Sequence, residues 1–214
     1  MSHLTISRRT SRKTYAASRC RVRLAQMKSV VAVFATVVSL VAVGAPVLTA
    51  QDSVSSEYRG KATFLATFPS FVDWPDGAFA SPAAPFIVCV LGDFRFGTTL
   101  AEVSRDLLPH GRRFSVRWVR NDQQLRGCHI LFVSSSEFSR YAKVIALVQG
   151  ANTFTVGETA GFLAAGGMLS MSFEHEAVQF EVNLASAKEA HFHVSSRLLA
   201  LARHVVDSTE STKS

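Results

Sequence analysis

The spacing of apolar residues changes along the chain, and the elements it predicts change with it. Over 58–72, Phe64, Leu65, Phe68, Phe71 and Val72 recur at helical intervals, so one stripe can face a core. Pro69 interrupts this stripe, which predicts a kink or a division into two short pieces, and Trp74 with Pro75 marks its end. From Pro82 onward, short apolar runs alternate with helical stripes. Residues 86–91 are continuously apolar, as in a strand buried on both faces; Leu100, Val103, Leu107 and Leu108 follow at helical spacing until Pro109 and Gly111. Residues 114–119 and 129–133 read as the next strands. Ser134 and Glu137 then stand at the spacing of a capping box, ahead of a stripe of Phe138, Tyr141, Ala142 and Ile145 that Gly150 closes. A further strand is predicted at 153–156.

In the last third the period is two. Leu169, Met171 and Phe173 alternate with serines, and Val178, Phe180 and Val182 alternate with Gln179 and Glu181, which predicts two half-buried strands joined by a four-residue turn. A final helix should carry Leu198, Leu201, Ala202, Val205 and Val206, with Ser195 as its cap. Residues 208–214 are polar and read as a disordered tail. This order of elements predicts an α/β fold: a three-layer sandwich on a mixed sheet, with parallel strands early and an antiparallel β-hairpin near the C-terminus. One domain over 51–207 accommodates it, and no internal repeat is visible.

A different pattern fills the first fifty residues. Met27 and Lys28 precede an uncharged run rich in Val and Ala, which closes with Gly44, Pro46 and small residues. This is the layout of a secretory signal peptide over 27–50, cut after Ala50 because a cut after Ala45 would put Pro46 directly downstream. Residues 1–26 are then a basic extension or the result of an upstream start codon, with Met27 the alternative start. Arg8 and Arg9 lack the apolar residues that follow a twin-arginine signal. The run approaches the roughly 20 residues that span a bilayer, so a retained anchor is the competing reading. The helix-breaking Gly44 and Pro46 favour removal and export to the periplasm.

Export changes the charge. The whole chain carries 23 Lys and Arg against 16 Asp and Glu, yet eight of the basic residues and none of the acidic ones precede Gln51. The chain from Gln51 onward holds 15 basic and 16 acidic residues. A folded part so nearly neutral does not offer the basic surface that nucleic acid requires. Of three cysteines, Cys20 leaves with the leader. Cys89 and Cys128, alone in an oxidising compartment, are expected to form one disulfide, which by loop-closure entropy stabilises by roughly 4 kcal/mol; two buried thiols are the alternative.

Candidate chemistry follows from the topology. Ligands of open α/β sheets sit beyond the carboxyl ends of the parallel strands. There the sequence places Gly92 and Asp93 after the first strand, Ser134 and Ser135 after the third, and Gly157 and Glu158 after the fourth. The carboxylates could take a cation or an amine, and the serines an anion at a helix start; the plain alternative is a turn glycine and capping serines. His191 with His193, and Glu174 with His175 and Glu176, resemble metal ligands but lack a third partner at a recognisable spacing, and the second group falls on the hairpin turn. For nucleophilic catalysis, Ser135 or Cys128 would need His129 as base; Ser135 has no nucleophile-elbow setting and Cys128 is better used in a bridge. Walker and dinucleotide-binding glycine patterns are absent. The sequence therefore predicts no catalytic set, no metal and no cofactor. Trp74 beside Pro75 is a candidate partner surface.

The runs FPSFVDWP at 68–75, CVLGDFRFG at 89–97, GCHILFVSSSE at 127–137, GGMLSMSFEHEAVQFEVNLASA at 166–187 and SSRLLALARHV at 195–205 together resemble the YfiR-like family. The resemblance covers nearly all of 58–206, and both Cys89 and Cys128 sit inside its motifs. It implies a periplasmic regulator, not an enzyme, that represses an inner-membrane diguanylate cyclase by binding its periplasmic region. Its partner would be that cyclase or another membrane-bound signalling protein, with a homodimer as a further option. The alternative is a small-ligand sensor acting on a histidine kinase or cyclase. Pro69 departs from the family pattern and puts the shape of the first helix in question.

Overall fold

Pro69 decides how the first element ends. In the computed structural model, which describes residues 46–207, an α-helix (α1, Pro46–Thr67) gives way to a 3₁₀ turn over Phe68–Phe71. The proline sits in the first turn, where its missing N–H removes no helical hydrogen bond. Ala62, Leu65, Phe68 and Val72 are buried as the stripe requires, while Phe71 is exposed. A two-residue strand follows (β1, Val72–Asp73). The signal peptide up to residue 45 and the 208–214 tail expected from the sequence lie outside the described residues.

The chain continues through β2 (Phe86–Leu91), α2 (Phe94–Val103), β3 (Phe114–Val119), β4 (Ile130–Val133), α3 (Tyr141–Val148) and β5 (Phe154–Gly157). The hairpin β6 (Leu169–Glu174) and β7 (Ala177–Asn183) comes next, followed by α4 (Leu184–Glu189), β8 (His193–Val194), α5 (Ser196–Leu199) and β9 (His204–Val206). β1 and β8 form a small antiparallel pair. The other seven strands make one sheet in the order β3-β2-β4-β5-β6-β7-β9, parallel throughout except for the β6–β7 hairpin. This is the mixed α/β sandwich that the pattern predicts.

Both faces of the sheet are covered, which explains the unbroken apolar run in β2. Val88 and Val90 join a core with Leu65 of α1 and Phe96 and Leu100 of α2, while Cys89 and Leu91 join a second core with Val144, Ile145 and Val148 of α3. Cys89 and Cys128 are bridged within the second core, Cα atoms 5.7 Å apart.

Four local expectations need correction. The helix expected to reach Leu108 stops at Val103: Ser104 forms its C-cap, Leu107 turns back onto the core and Leu108 is exposed. The capping box does not form: the Ser134 hydroxyl accepts from Ser136 N at 3.4 Å, capping only a 3₁₀ turn over Ser135–Glu137 ahead of α3, while Ser134 N donates to Leu91 O at 3.0 Å and the Glu137 carboxylate pairs with Arg140 instead of reaching back. The hairpin turn has two residues, not four. His175 and Glu176 both have positive φ (51° and 61°), the arrangement whose twist matches the flanking strands. Finally, the last helix ends at Leu199. Ser195 does cap it, accepting from Leu198 N at 3.3 Å, but Val205 and Val206 extend into β9, where Val205 pairs with Val182. Their β-branched side chains suit a strand, and Arg203 N donating to Phe180 O at 2.8 Å docks the segment on β7.

Candidate functional site at the strand ends

Three loops meet at the carboxyl ends of β2, β4 and β5, and they do so closely. Gly92 has φ of 102°, and a Cβ there would lie 2.5 Å from Ser136 Oγ and 2.8 Å from Ser134 Cβ, so only glycine fits between the loops. Asp93 caps α2, accepting from Arg95 N at 2.8 Å and Phe96 N at 3.3 Å. Ser135 N and the Ser134 hydroxyl both donate to Glu158 Oε1, at 2.8 and 3.2 Å. Gly157 lies against the Phe162 ring, with no room for a side chain.

Two side chains from α1 complete the cluster. The Tyr58 hydroxyl donates to Asp93 Oδ2, and Lys61 Nζ lies 2.8 Å from Glu158 Oε2 and 2.5 Å from Glu57 Oε1. Nothing in the loops announces these residues, but a lysine in the same helical stripe as Leu65 and Phe68 is itself a signal, since a buried amine needs a carboxylate. The Lys61 and Glu158 side chains are 8% and 13% exposed. Burial works against the Lys61 charge, but the hydrogen bonds it donates to Glu158 and Glu57 outweigh it and hold the ammonium above its ordinary range. Burial likewise opposes ionisation of Glu158, whose carboxylate is nevertheless kept below its ordinary range by Lys61 and Ser135 N. The hydrogen bond to Asp93, reinforced by burial, pushes the Tyr58 phenol up to about 12.

The anion that these loops attract is thus the protein's own. Glu158 takes up the N–H and hydroxyl that could have received a ligand, and Lys61 takes the carboxylate that could have held a cation. Hollows of about 410, 430 and 450 Å³ lie elsewhere on the described surface, and none is lined by Gly92, Asp93, Ser134, Ser135, Gly157 or Glu158.

The other candidates are placed apart. His129 is 7% exposed and accepts from Ile87 N at 2.9 Å through Nδ1, so that Nε2 carries the proton toward Ala78 O at 3.1 Å. Ser135 stands at the opposite end of β4, roughly 20 Å away by strand rise, and Cys128 is in the disulfide. His191 has φ of 63° in a turn and His193 lies in β8 opposite Asp73. Glu174 is engaged by both guanidinium nitrogens of Arg203 at 2.9 Å. Among the described residues, no group of three or more His, Cys, Asp or Glu could hold a metal ion. Trp74 is half-buried, its ring edge-on to Phe86 at 4.9 Å and to Phe192 at 5.7 Å, and Pro75 is half-buried beside it.

No curated protein sequence matches the chain. Among solved structures, it is similar to a conserved domain protein from Vibrio cholerae O1 biovar El Tor, at 11% identity and a TM-score of 0.42, covering 56% of this chain and 54% of that one. It is also similar to an ABC domain in complex with L-Trp from Streptococcus pneumoniae, at 10% identity and a TM-score of 0.44, covering 56% and 55%. The chain thus spans little more than half the length of either. Residues 58–203, which include every strand of the sheet except the last, match the YfiR/HmsC-like family, and the chain belongs to that family.

Proposed function

We propose that the protein works in the periplasm as a repressor of an inner-membrane diguanylate cyclase, binding the cyclase's periplasmic region and so lowering cyclic di-GMP and biofilm matrix production. The family match over 58–203 carries this reading. A leader over 27–50, removed after Ala50, delivers a near-neutral domain of 51–207 to the compartment where such a partner presents its sensor. The strand-end loops favour protein contact over small-ligand sensing, because Tyr58 and Lys61 already occupy the polar groups of Asp93 and Glu158. The reading involves binding and no turnover, and the family match is what supports it.

Deleting the gene in its host should raise cellular cyclic di-GMP, and removing one cyclase from the same strain should abolish the rise. An unchanged level across growth phases overturns the reading.

A further inference from the structure

The two edges of the seven-stranded sheet are unlike. β9 is three residues long, whereas β3 is a regular six-residue strand, FSVRWV, without proline or lysine. Natural sheets blunt such an edge, because its unpaired N–H and C=O groups are a template for another strand. Among the described residues β3 pairs with β2 alone. Phe86 N donates to Arg113 O at 2.8 Å, which in a parallel ladder turns the amides of Phe114, Val116 and Trp118 outward. Arg117 does not guard the edge: its guanidinium lies along the sheet face, 2.6 Å from Arg126 O and 3.1 Å from Cys128 Sγ.

Charge singles out the same edge. Residues 94–126 hold seven arginines and three acidic residues, while the rest of the chain from Gln51 onward holds eight basic and thirteen acidic ones. Arg113 and Arg120 flank β3, both are exposed, and neither enters an ion pair among the described residues. Seven residues of strand hold them about 23 Å apart. Beside them Phe94 is 61% exposed, its ring 5.5 Å from that of Trp118, so an aromatic ledge borders the strand on the α2 face.

We infer that the β3 edge is the docking site for an extended acidic segment of a protein partner. The segment adds as a further strand along Phe114–Val119, sets carboxylates on Arg113 and Arg120 at its two ends, and lays an apolar side chain on the ledge of Phe94 and Trp118. The inference rests on the proposed repression by protein contact for the kind of partner. It adds the surface and the chemistry that the partner must present.

The probe is a fluorescent peptide of about nine residues with Asp and Glu at both ends and alternating Val and Thr between, the length that spans the strand. Saturable binding that weakens with salt is expected. Replacing both exposed arginines, Arg113→Glu with Arg120→Glu, should weaken it about tenfold or more and make a Lys-ended peptide the preferred ligand. Val116→Pro removes an outward N–H and should abolish binding; should that variant unfold, a peptide N-methylated on alternate amides asks the same question of the other partner. Absence of saturable binding up to about 1 mM, or an affinity indifferent to the arginine reversals, overturns the proposal. So does capture by phosphatidylglycerol vesicles without peptide binding, or a self-association that the reversals abolish, since the edge would then serve a membrane or a second copy. These outcomes are separable from the cyclic di-GMP test: a deletion strain can show the rise while the peptide fails to bind, and the reverse.

Discussion

Lys61 Nζ and Glu158 Oε2 meet at 2.8 Å across 97 residues of sequence, and this buried pair fastens α1 over the ends of β4 and β5. A charge pair so enclosed stabilises little relative to apolar residues of the same shape, but breaking it from one side leaves a buried charge unpaired. The strand-end loops therefore behave as a lock on the first helix.

Lys61→Met should cost about 3–5 kcal/mol in chemical denaturation, the penalty for stranding Glu158. The pH profile carries the same signature. Glu158 ionises below its ordinary 4.5 in the fold, so its contribution is complete above that pH and is lost as pH falls through the folded value. Lys61 is raised above 10.5, so its contribution is complete below that pH and disappears as pH rises through the folded value. In Lys61→Met the share of the alkaline loss that Lys61 contributes should vanish; an unchanged profile would mean the pair contributes nothing.

The switch-point loops were readable from the sequence because the alternation of strands and helices fixes which loops share an end of the sheet. Gly92, Asp93, Ser134, Ser135, Gly157 and Glu158 do converge there. What fills the space was not readable, since Tyr58 and Lys61 arrive from a helix that lies outside the alternation, and only the tertiary fold sets its height over the sheet. The strands 86–91 and 114–119 match their apolar runs residue for residue. The C-terminal strand was missed for the opposite reason: Leu198, Leu201, Ala202 and Val205 fit a helical period, yet pairing of His204–Val206 with the exposed edge of β7 outweighs that local preference.

His129 makes the acid limb of stability sensitive to a single ring. Burial, aided by the charges of Arg112 and Arg117, pushes its pKa below 6.5 against the pull of its two backbone hydrogen bonds. Protonation would set Nδ1–H against Ile87 N–H, while the ring stays stacked 4.4 Å from Phe79. The neutral form thus contributes stability that is present above 6.5 and is lost as pH falls through the folded value. His129→Phe keeps the stacking but orphans Ile87 N–H and Ala78 O, which should cost about 1–3 kcal/mol at neutral pH and remove that part of the acid dependence. Melting curves across the mildly acidic range test both effects.

The Cys89–Cys128 bridge joins the strand β2 to the start of β4 across a separation of 39 residues, and both sulfurs are buried. Reduction restores the loop's freedom to the unfolded chain, worth roughly 4 kcal/mol, and should lower the melting midpoint on the order of 10 °C for a domain of this size. Equal midpoints with and without reductant would show that the bridge does not constrain the unfolded chain.

Tyr58 reports directly on whether α1 is seated. Its hydroxyl donates to Asp93, and the phenol is pushed up to about 12, so the stability it contributes is complete below 10 and is lost as pH rises through 12. A phenolate absorbance titration should therefore show one tyrosine ionising late, and Tyr58→Phe should delete that step. The same variant should cost about 0.5–1.5 kcal/mol, since Asp93 keeps its hydrogen bonds from Arg95 N and Phe96 N and is not left unsatisfied. Titrating the Lys61→Met protein separates the two fasteners of the helix: if Lys61 holds α1 in place for both, Tyr58 should titrate near 10 in that variant. If the late step persists unchanged, the tyrosine and the lysine anchor the helix independently.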